Sequence, residues 1–375
     1  MQYTTLGKTG LNVSRLGFGA MRLPMIGDGP EARVNRELAI PMIHYAFEHG
    51  VNYIDTAVGY CNSDSQRAVG EALKGWRDRI VVSTKNHDYG QEETVWWKNL
   101  EDSLERLGVD YLDIYNHHGV NDALFANDLR PRVARWMLKA RDQSLVKHVG
   151  VSFHDNNQAL MKIVEDGYPE VITLQYNLLD RQLEEGIALA HEKGIGIVVM
   201  GPVGGGRLGQ PSEAFENILP GIRRTPELAL RFVLANPGVH IALSGMSTLE
   251  QVQENVQVCS DGIALNDAGL DAIRDHVAQL KAMLDLYCTG CGYCMPCPSG
   301  VEIPRIFEAY NNARVFGLWD GTREQYAHLV KGDWPGHFSA AACTECGTCE
   351  PKCPQHIEIP RKLKEVHAAL APKPE

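Results

Sequence analysis

Short apolar runs recur along the first two-thirds of the chain, with polar, helix-periodic segments between them. The runs are RLGFGA (15–20), VNYID (51–55), IVVST (80–84), YLDIYN (111–116), HVGVS (148–152), VITLQ (171–175), GIVVM (196–200) and HIALS (240–244). Their length and their Val, Ile and Tyr content suit buried strands. Between most of them apolar residues return about every 3.6 positions, which predicts helices with one buried face. Glu37–Glu48, Ser65–Lys74, Val95–Leu107, Leu183–Lys193 and Pro226–Ala235 are examples. Gly50, Gly108 and Gly194 follow three such patterns as C-terminal stops. Eight strands alternating with helices predict a (β/α)8 TIM barrel over residues 1–265. A doubly wound sheet is the runner-up, but no G-x-G-x-x-G follows the first strand. Residues 1–15 read as a hairpin around Gly7-Lys-Thr-Gly10.

A further helical pattern, Asp267–Leu286, forms a connecting helix over 266–287. From Cys288 the composition changes: Cys, Pro and Gly rise and strand patterns vanish. CPSGVEIPRIFEAY (297–310) returns as CPQHIEIPRKLKEV (353–366). In each copy a proline opens a helical pattern, where its missing N–H costs nothing. Residues 288–375 therefore read as a second, mainly helical domain of two related halves.

Composition narrows the function. The net charge of −11, with no Lys/Arg stripe, argues against a nucleic-acid surface. No run approaches the ~18 apolar residues of a membrane span, and the N-terminus lacks a signal-peptide core. A cytoplasmic protein is expected. Eight of the ten cysteines fall in two tight groups, which reads as metal ligation in a reducing compartment.

Cys288, Cys291, Cys294 and Cys297 are followed by Pro298; Cys343, Cys346, Cys349 and Cys353 are followed by Pro354. Three thiolates at such spacings wrap three irons of a cubane, and the fourth, before proline, ligates the other cluster. Cluster one is thus assigned to Cys288, Cys291, Cys294 and Cys353. Cluster two takes Cys343, Cys346, Cys349 and Cys297. The first group is one residue short between its third and fourth Cys. Two zinc sites, each using one tetrad, are the alternative. Of the remaining cysteines, Cys259 reads as a buried small hydrophobe. Cys61, beside Tyr60, reads as inert, with a reactive thiol as the alternative.

The barrel offers its own chemistry. VNYID ends on Asp55, the next loop delivers Tyr60, IVVST leads to Lys85, and YLDIYN leads to His117 and His118. In a (β/α)8 barrel the C-terminal strand ends build the active face. A tyrosine ordinarily has a pKa near ~10. A nearby ammonium lowers it, and a carboxylate can hold that ammonium in place. The four residue types suit proton donation to a carbonyl oxygen.

LGKTGLNVSRLGFGAMRLP, the DTAVGY loop, DYLDIYNHHG and CTGCGYCMPCPSGV together resemble the aldo/keto reductases, in the subgroup with a C-terminal dicluster 4Fe-4S domain. The resemblance spans essentially the whole chain. The 55-residue interval between the cysteine groups resembles the helical ferredoxin module of fumarate reductase-type subunits. It implies hydride transfer between a nicotinamide and a carbonyl. Tyr60 would be general acid/base, Lys85 would tune it, Asp55 would hold Lys85, and His118 would orient the carbonyl; His117 would be a bystander. It also implies a cofactor beside Gly19, Ala20 and Met21, with Ser152 on the carboxamide. The glycine-rich loop after strand seven (Gly201, Pro202, Gly204, Gly206) would hold the pyrophosphate. The segment Ser244, Gly245, Met246, Ser247, Gln251, Glu254 and Asn255 would hold the adenosine end.

The chain departs from the family pattern at three points. The family's carboxamide-binding Gln is Thr173 here, and Gln175, two residues on and hence on the same face, is its substitute. Met200 stands where an aromatic residue often underlies the nicotinamide. Gly245 and Gln251 stand where NADPH-selective members carry cations, so NADH is favoured over NADPH. A small carbonyl substrate and a ferredoxin-like electron partner are expected. His87, His117 and His154 suggest a polar pocket mouth, and Arg207 could meet an anionic group; solvated loop residues are the bland alternative for each. Other functions stay open: a plain aldehyde or ketone reductase with structural clusters, a nicotinamide-using epimerase or lyase, or a non-enzymatic redox-sensing module.

Overall fold

A computed structural model describes residues 1–86, 92–216, 218–222, 224–282, 288, 292–333, 336–353 and 355–372, without the side chains of 281 and 282. The barrel strands are β1 (Leu16–Gly19), β2 (Tyr53–Asp55), β3 (Val81–Asn86), β4 (Leu112–Val120), β5 (Val146–Phe153), β6 (Val171–Gln175), β7 (Gly196–Met200) and β8 (Ile241–Gly245). They close in sequence order into one parallel barrel, β8 returning to pair with β1. This is the TIM-barrel fold expected from the pattern. The strands are buried on both faces, which is why they read as apolar runs rather than as alternation.

Two apolar layers hold the barrel. Inside it, Tyr53, Val81, Ile114, Val171, Val198 and Ile241 pack together with Leu6 and Val13. Leu6 and Val13 come from the N-terminal hairpin, whose strands Tyr3–Thr5 and Asn12–Ser14 pair antiparallel. Lys8 N donates to Gly194 O at 2.8 Å, so the hairpin plugs the N-terminal end of the barrel. Gly7 makes this approach possible, because a Cβ there would lie 2.4 Å from Gly196 N. Outside, the strands pack against helices that include α1 (Arg36–Glu48), α2 (Ser65–Ala72) and α3 (Glu93–Leu107).

Two boundaries differ from the sequence pattern in ways that matter for the site. β4 runs on to Val120, so His117 and His118 lie on the strand rather than after it. Between β4 and β5 the chain stays helical through a wide-turn stretch, Phe125–Val133, and then Ala134–Asp142. Pro131 lies in the wide stretch and lacks the N–H an α-helical bond needs.

The chain divides into two compact units. The first comprises Met1–Pro202 and Ala229–Asn266; the second comprises Val203–Leu228 and Asp267–Glu375. The long segment between β7 and β8 thus groups with the cysteine-bearing tail, which the sequence pattern did not anticipate. The tail is helical: α4 (Asp267–Ala282), α5 (Ile303–Phe316), α6 (Trp319–Lys331) and α7 (Ile359–Leu370). The repeat is visible in α5 and α7, each with proline in its first turn. The rest of the connecting-helix pattern, 283–287, lies outside the described residues.

Gly70 on α2 faces the end of α3, where an added Cβ would meet the Arg106 and Leu107 carbonyls at 2.7 Å. Backbone on both sides leaves little room to yield. Gly70→Ala is expected to cost about 1–3 kcal/mol, measured as a lower urea midpoint of the barrel.

Candidate active site

The C-terminal end of the barrel brings the four expected groups together: Asp55, Lys85 and His118 stand on adjacent strands, and Tyr60 on the loop after the first of them. Asp55 is the last residue of β2 and Lys85 lies near the end of β3; both are almost wholly buried. Lys85 Nζ forms a short ion pair with Asp55 Oδ1 and also donates to Thr56 O at 3.0 Å. The other Asp55 oxygen accepts from Ser83 Oγ at 2.8 Å. Ser83 in turn accepts from Asn116 Nδ2 at 3.0 Å. A carboxylate and an ammonium this deep would be costly alone; paired and hydrogen-bonded, each offsets the desolvation of the other.

Tyr60 closes the array. Lys85 Nζ lies 4.9 Å from the centre of the Tyr60 ring. The loop carrying Tyr60 is anchored by Thr56 Oγ1 and Ser65 Oγ, 2.8 Å apart, and by Ser65 Oγ donating to Ala20 O at 2.7 Å. After Tyr60 the chain turns through Cys61, Asn62 and Ser63, all left-handed with φ of 52, 54 and 65°. Asn62 secures this turn by donating to Gly29 O and Ala32 O at 3.0 and 3.1 Å. Cys61 is half-buried against the Ala20 and Met21 carbonyls, and burial pushes its thiol up.

The charge balance corrects one expectation. Burial raises the Tyr60 pKa by more than Lys85 lowers it, so the phenol stands above its ordinary value. Burial alone would lower Lys85, but the Asp55 and Tyr60 charges and hydrogen bonds together outweigh it, and the ammonium is held above its usual range. At neutral pH the site therefore holds a neutral phenol beside a charged amine.

His118 faces this centre. Its ring meets Tyr60 edge-on, with centroids 6.3 Å apart and planes at 84°. His117, on the opposite face of β4, turns away to Tyr168 OH at 2.8 Å, and burial pushes its imidazole down to about 3. His154 sits 6.5 Å from His118, centroid to centroid, and 3.3 Å from Ser152 Oγ. Desolvation and Lys85 both lower its pKa, although the residue as a whole is exposed. His87 lies outside the described residues.

The residues expected to line a dinucleotide fall into two sets. In the first unit, Gly19, Ala20 and Ser152 are buried at strand ends, and Met21 is exposed. Gln175 is exposed and donates to Asp180 Oδ2 at 3.1 Å, while Thr173 Oγ1 is buried with no protein partner among the described residues. Met200 pairs in register with Gln175, and Pro202 is buried just beyond it. Gly201 is left-handed, and its carbonyl accepts from Asn177 Nδ2 at 3.1 Å. Ser244 Oγ accepts from Asn255 Nδ2 at 3.1 Å, and Gln251 Oε1 accepts from Ser247 N at 2.8 Å. Glu254 is exposed on the same helix. The Met246 side chain is fully buried in the core. In the second unit, Gly204, Gly205 and Gly206 form a left-handed turn, and Arg207 Nε donates back to Gly204 O at 3.0 Å. Arg22 was missed by the sequence reading. Its stem, in the segment after β1, lies 3.4–3.6 Å from where a Gly245 side chain would begin, so a cationic residue borders a position that carries none. In the first unit, the small residues at the strand ends and the unpartnered Thr173 hydroxyl fit a bound nicotinamide dinucleotide.

In the second unit, Cys288, Cys294 and Cys353 line one pocket with Ile303, Phe307 and Ile359. Cys291 lies outside the described residues. Burial raises the Cys349 pKa, and the charges of Cys343, Cys297 and Cys346 add to it. Among the described residues, Cys353 thus lies with Cys288 and Cys294 of the other group, and Cys297 lies near Cys349 with Cys343 and Cys346. Among the described residues, no three His, Cys, Asp or Glu side chains converge as a single-ion site requires. A thiol-lined, otherwise apolar cavity fits a 4Fe-4S cluster.

Residues 15–278 match the aldo/keto reductase family, over more than half the chain. The chain belongs to the aldo/keto reductase family. Residues 287–358 match the 4Fe-4S dicluster domain. The uncharacterized oxidoreductase YqkF of Bacillus subtilis is 28% identical over 314 residues, covering 74% of this chain and 97% of that protein. The NADH-specific methylglyoxal reductase of Escherichia coli is 28% identical over 334 residues, covering 75% and 100%. The aldo-keto reductase AKR11C1 from Bacillus halodurans, in its holo form, superposes with a TM-score of 0.63 at 29% identity, covering 74% of this chain and 96% of that one. The chain is therefore an oxidoreductase of this family with a dicluster domain. No described helix is long and apolar enough to cross a membrane.

Removing Asp55 would leave Lys85 charged and buried without its partner. Asp55→Ala is expected to cost about 3–5 kcal/mol, and adding Lys85→Met should recover most of it. Urea denaturation of the two variants measures both effects.

Proposed function

We propose that this protein interconverts a small carbonyl compound and its alcohol by hydride transfer with a nicotinamide dinucleotide. The observation that carries the reading is the buried Asp55–Lys85 pair beside Tyr60, with His118 edge-on to the phenol. When bound, the reduced nicotinamide supplies the hydride to the carbonyl carbon. Tyr60 gives its proton to the carbonyl oxygen, which completes the alcohol and leaves oxidised nicotinamide. Lys85 stabilises the phenolate that forms, Asp55 and Ser83 keep Lys85 in place, and His118 orients the oxygen through a hydrogen bond. The neutral phenol of the resting site is the form that reduction needs.

In the first unit the dinucleotide would lie along Gly19, Ala20, Met21, Ser152 and Gln175, and over Met200, Gly201 and Pro202; in the second unit, Gly204 and Gly206 are read as offering backbone to a pyrophosphate. Its adenosine end would be held by Ser244, Gly245, the Met246 backbone, Ser247, Gln251, Glu254 and Asn255. NADH is favoured because neither Gly245 nor Gln251 brings a cation; Arg22 is the residue that opposes this preference. Two 4Fe-4S clusters would be cross-ligated, one by Cys288, Cys291, Cys294 and Cys353 and one by Cys343, Cys346, Cys349 and Cys297. They would pass electrons to a ferredoxin-like partner in the cytoplasm.

Tyr60→Phe is expected to lower kcat by about 10²–10⁴-fold with dinucleotide binding retained. Because the Tyr60 pKa is raised, kcat/KM for reduction should stay level through neutral pH and fall only above about 10, as the phenol ionises. Initial rates across pH with a panel of aldehydes and ketones test both; an unchanged rate in Tyr60→Phe removes the proton-donor role. Anaerobically purified protein should carry about eight irons, and NADH should bleach the cluster absorbance if the two centres exchange electrons. Iron, sulfide and zinc analysis with an NADH titration measures this; zinc in place of iron would sink the cluster assignment.

A further inference from the structure

The two cysteine groups of the second unit are copies of one pattern. CTGCGYC (288–294) and CTECGTC (343–349) align residue for residue and differ at two positions. Gly290 stands against Glu345, and Tyr293 stands against Thr348. The backbone follows the repeat: Gly292 and Gly347, at matching positions, are both left-handed with φ of 75 and 71°. The surroundings of the sulfurs do not follow it.

In the first group, Cys288 and Cys294 face a pocket with Cys353. Besides Gly292 and Gln355 its lining is apolar, and Ile303, Phe307 and Ile359 in that lining are buried. Tyr293 is 65% exposed, with its hydroxyl carried a ring's length from the backbone. In the second group, Cys346 is exposed, alone among the described cysteines. Thr348 Oγ1 lies 3.3 Å from Cys346 Sγ. The Thr348 N–H and the Thr344 hydroxyl also bear on this sulfur. Thr344 is held in turn, its Oγ1 3.2 Å from Ser299 Oγ. A ligating cysteine is a thiolate and can only accept, so in the loaded domain Thr348 is the donor.

Reduction adds negative charge to an iron–sulfur cluster. An apolar surround answers that charge poorly and lowers the potential. Water and hydrogen bonds to the sulfurs answer it and raise the potential. We propose that the two groups hold clusters of unequal potential, the second group the higher, and that the Thr348 hydroxyl on Cys346 sets part of the difference. This rests on the reading that both groups bind 4Fe-4S clusters. In a half-reduced domain the electron then resides at the second group, whose Cys346 meets solvent. There it is taken by a ferredoxin-like one-electron carrier: the cluster is oxidised, the carrier is reduced, and no covalent bond changes.

The test uses the full chain, purified anaerobically, with iron, sulfide and zinc quantified. A redox titration followed by electron paramagnetic resonance should give two midpoints. Thr348→Val keeps the side-chain shape and removes the hydroxyl. It should lower the higher midpoint and leave the lower one in place, with iron content unchanged. The expected size is that of one hydrogen bond, about a three- to ten-fold fall in the reduced-to-oxidised ratio at fixed potential. Ten-fold corresponds to about 59 mV for one electron. Thr348→Ser, which keeps the hydroxyl, should hold the parent value, and Tyr293→Phe should move neither midpoint. Equal midpoints in the parent overturn the proposal, as does a Thr348→Val shift confined to the lower midpoint or absent from both. A matching shift in Thr348→Ser overturns it too, since packing rather than the hydroxyl would then be the cause. Zinc in place of iron removes the cluster reading itself, and this inference falls with it.

Discussion

The buried Lys85–Asp55 pair is the constraint on which the barrel's chemistry depends. A charged amine with almost no solvent contact survives because a carboxylate and the Thr56 carbonyl answer it, while Ser83, itself bonded by Asn116, braces the carboxylate. The network fixes the Lys85 position from three strands at once. That rigidity is what a proton-transfer site needs, since the ammonium must already point at the phenol before charge develops there. The cost of burial also acts on Tyr60, which stays neutral despite its cationic neighbour.

The barrel supplies the convergence. Parallel strands place their C-terminal ends on one face, so groups distant in sequence meet without long loops. Asp55, Lys85 and His118 stand on adjacent strands, and only Tyr60 arrives from a loop. That loop needs extra support, provided by Thr56, Ser65 and the left-handed turn that Asn62 ties down. The second unit solves a different problem. Its core is small: Cys349 lies in it, and Cys288, Cys294, Cys297, Cys343 and Cys353 pack against it. Such a domain gains much of its order from metal ligation, because the ligand bonds replace apolar burial it does not have.

Much of this was written along the chain in readable form. Continuous apolar runs marked strands buried on both faces, their spacing marked the barrel, and Cys-x-x-Cys groups before proline marked the dicluster domain. Asp55, Tyr60, Lys85 and His118 were legible because each follows or ends such a run. Ser83 was within reach too, since it lies two residues before Lys85 and so on the same face.

What tertiary structure alone decided was every relation set by packing between distant segments. No local pattern says that Arg22 lies along Gly245, or that Met246 turns into the core. The net direction of the Tyr60 pKa depended on comparing desolvation with a charge several ångströms away, and burial is a property of the whole fold. Likewise the glycine-rich loop reads as an ordinary barrel loop until Gln325, 120 residues on, is seen bonded to it. Periodicity and ligand spacing are short-range properties and survive in one dimension; desolvation and contact partnership exist only after the chain has closed on itself.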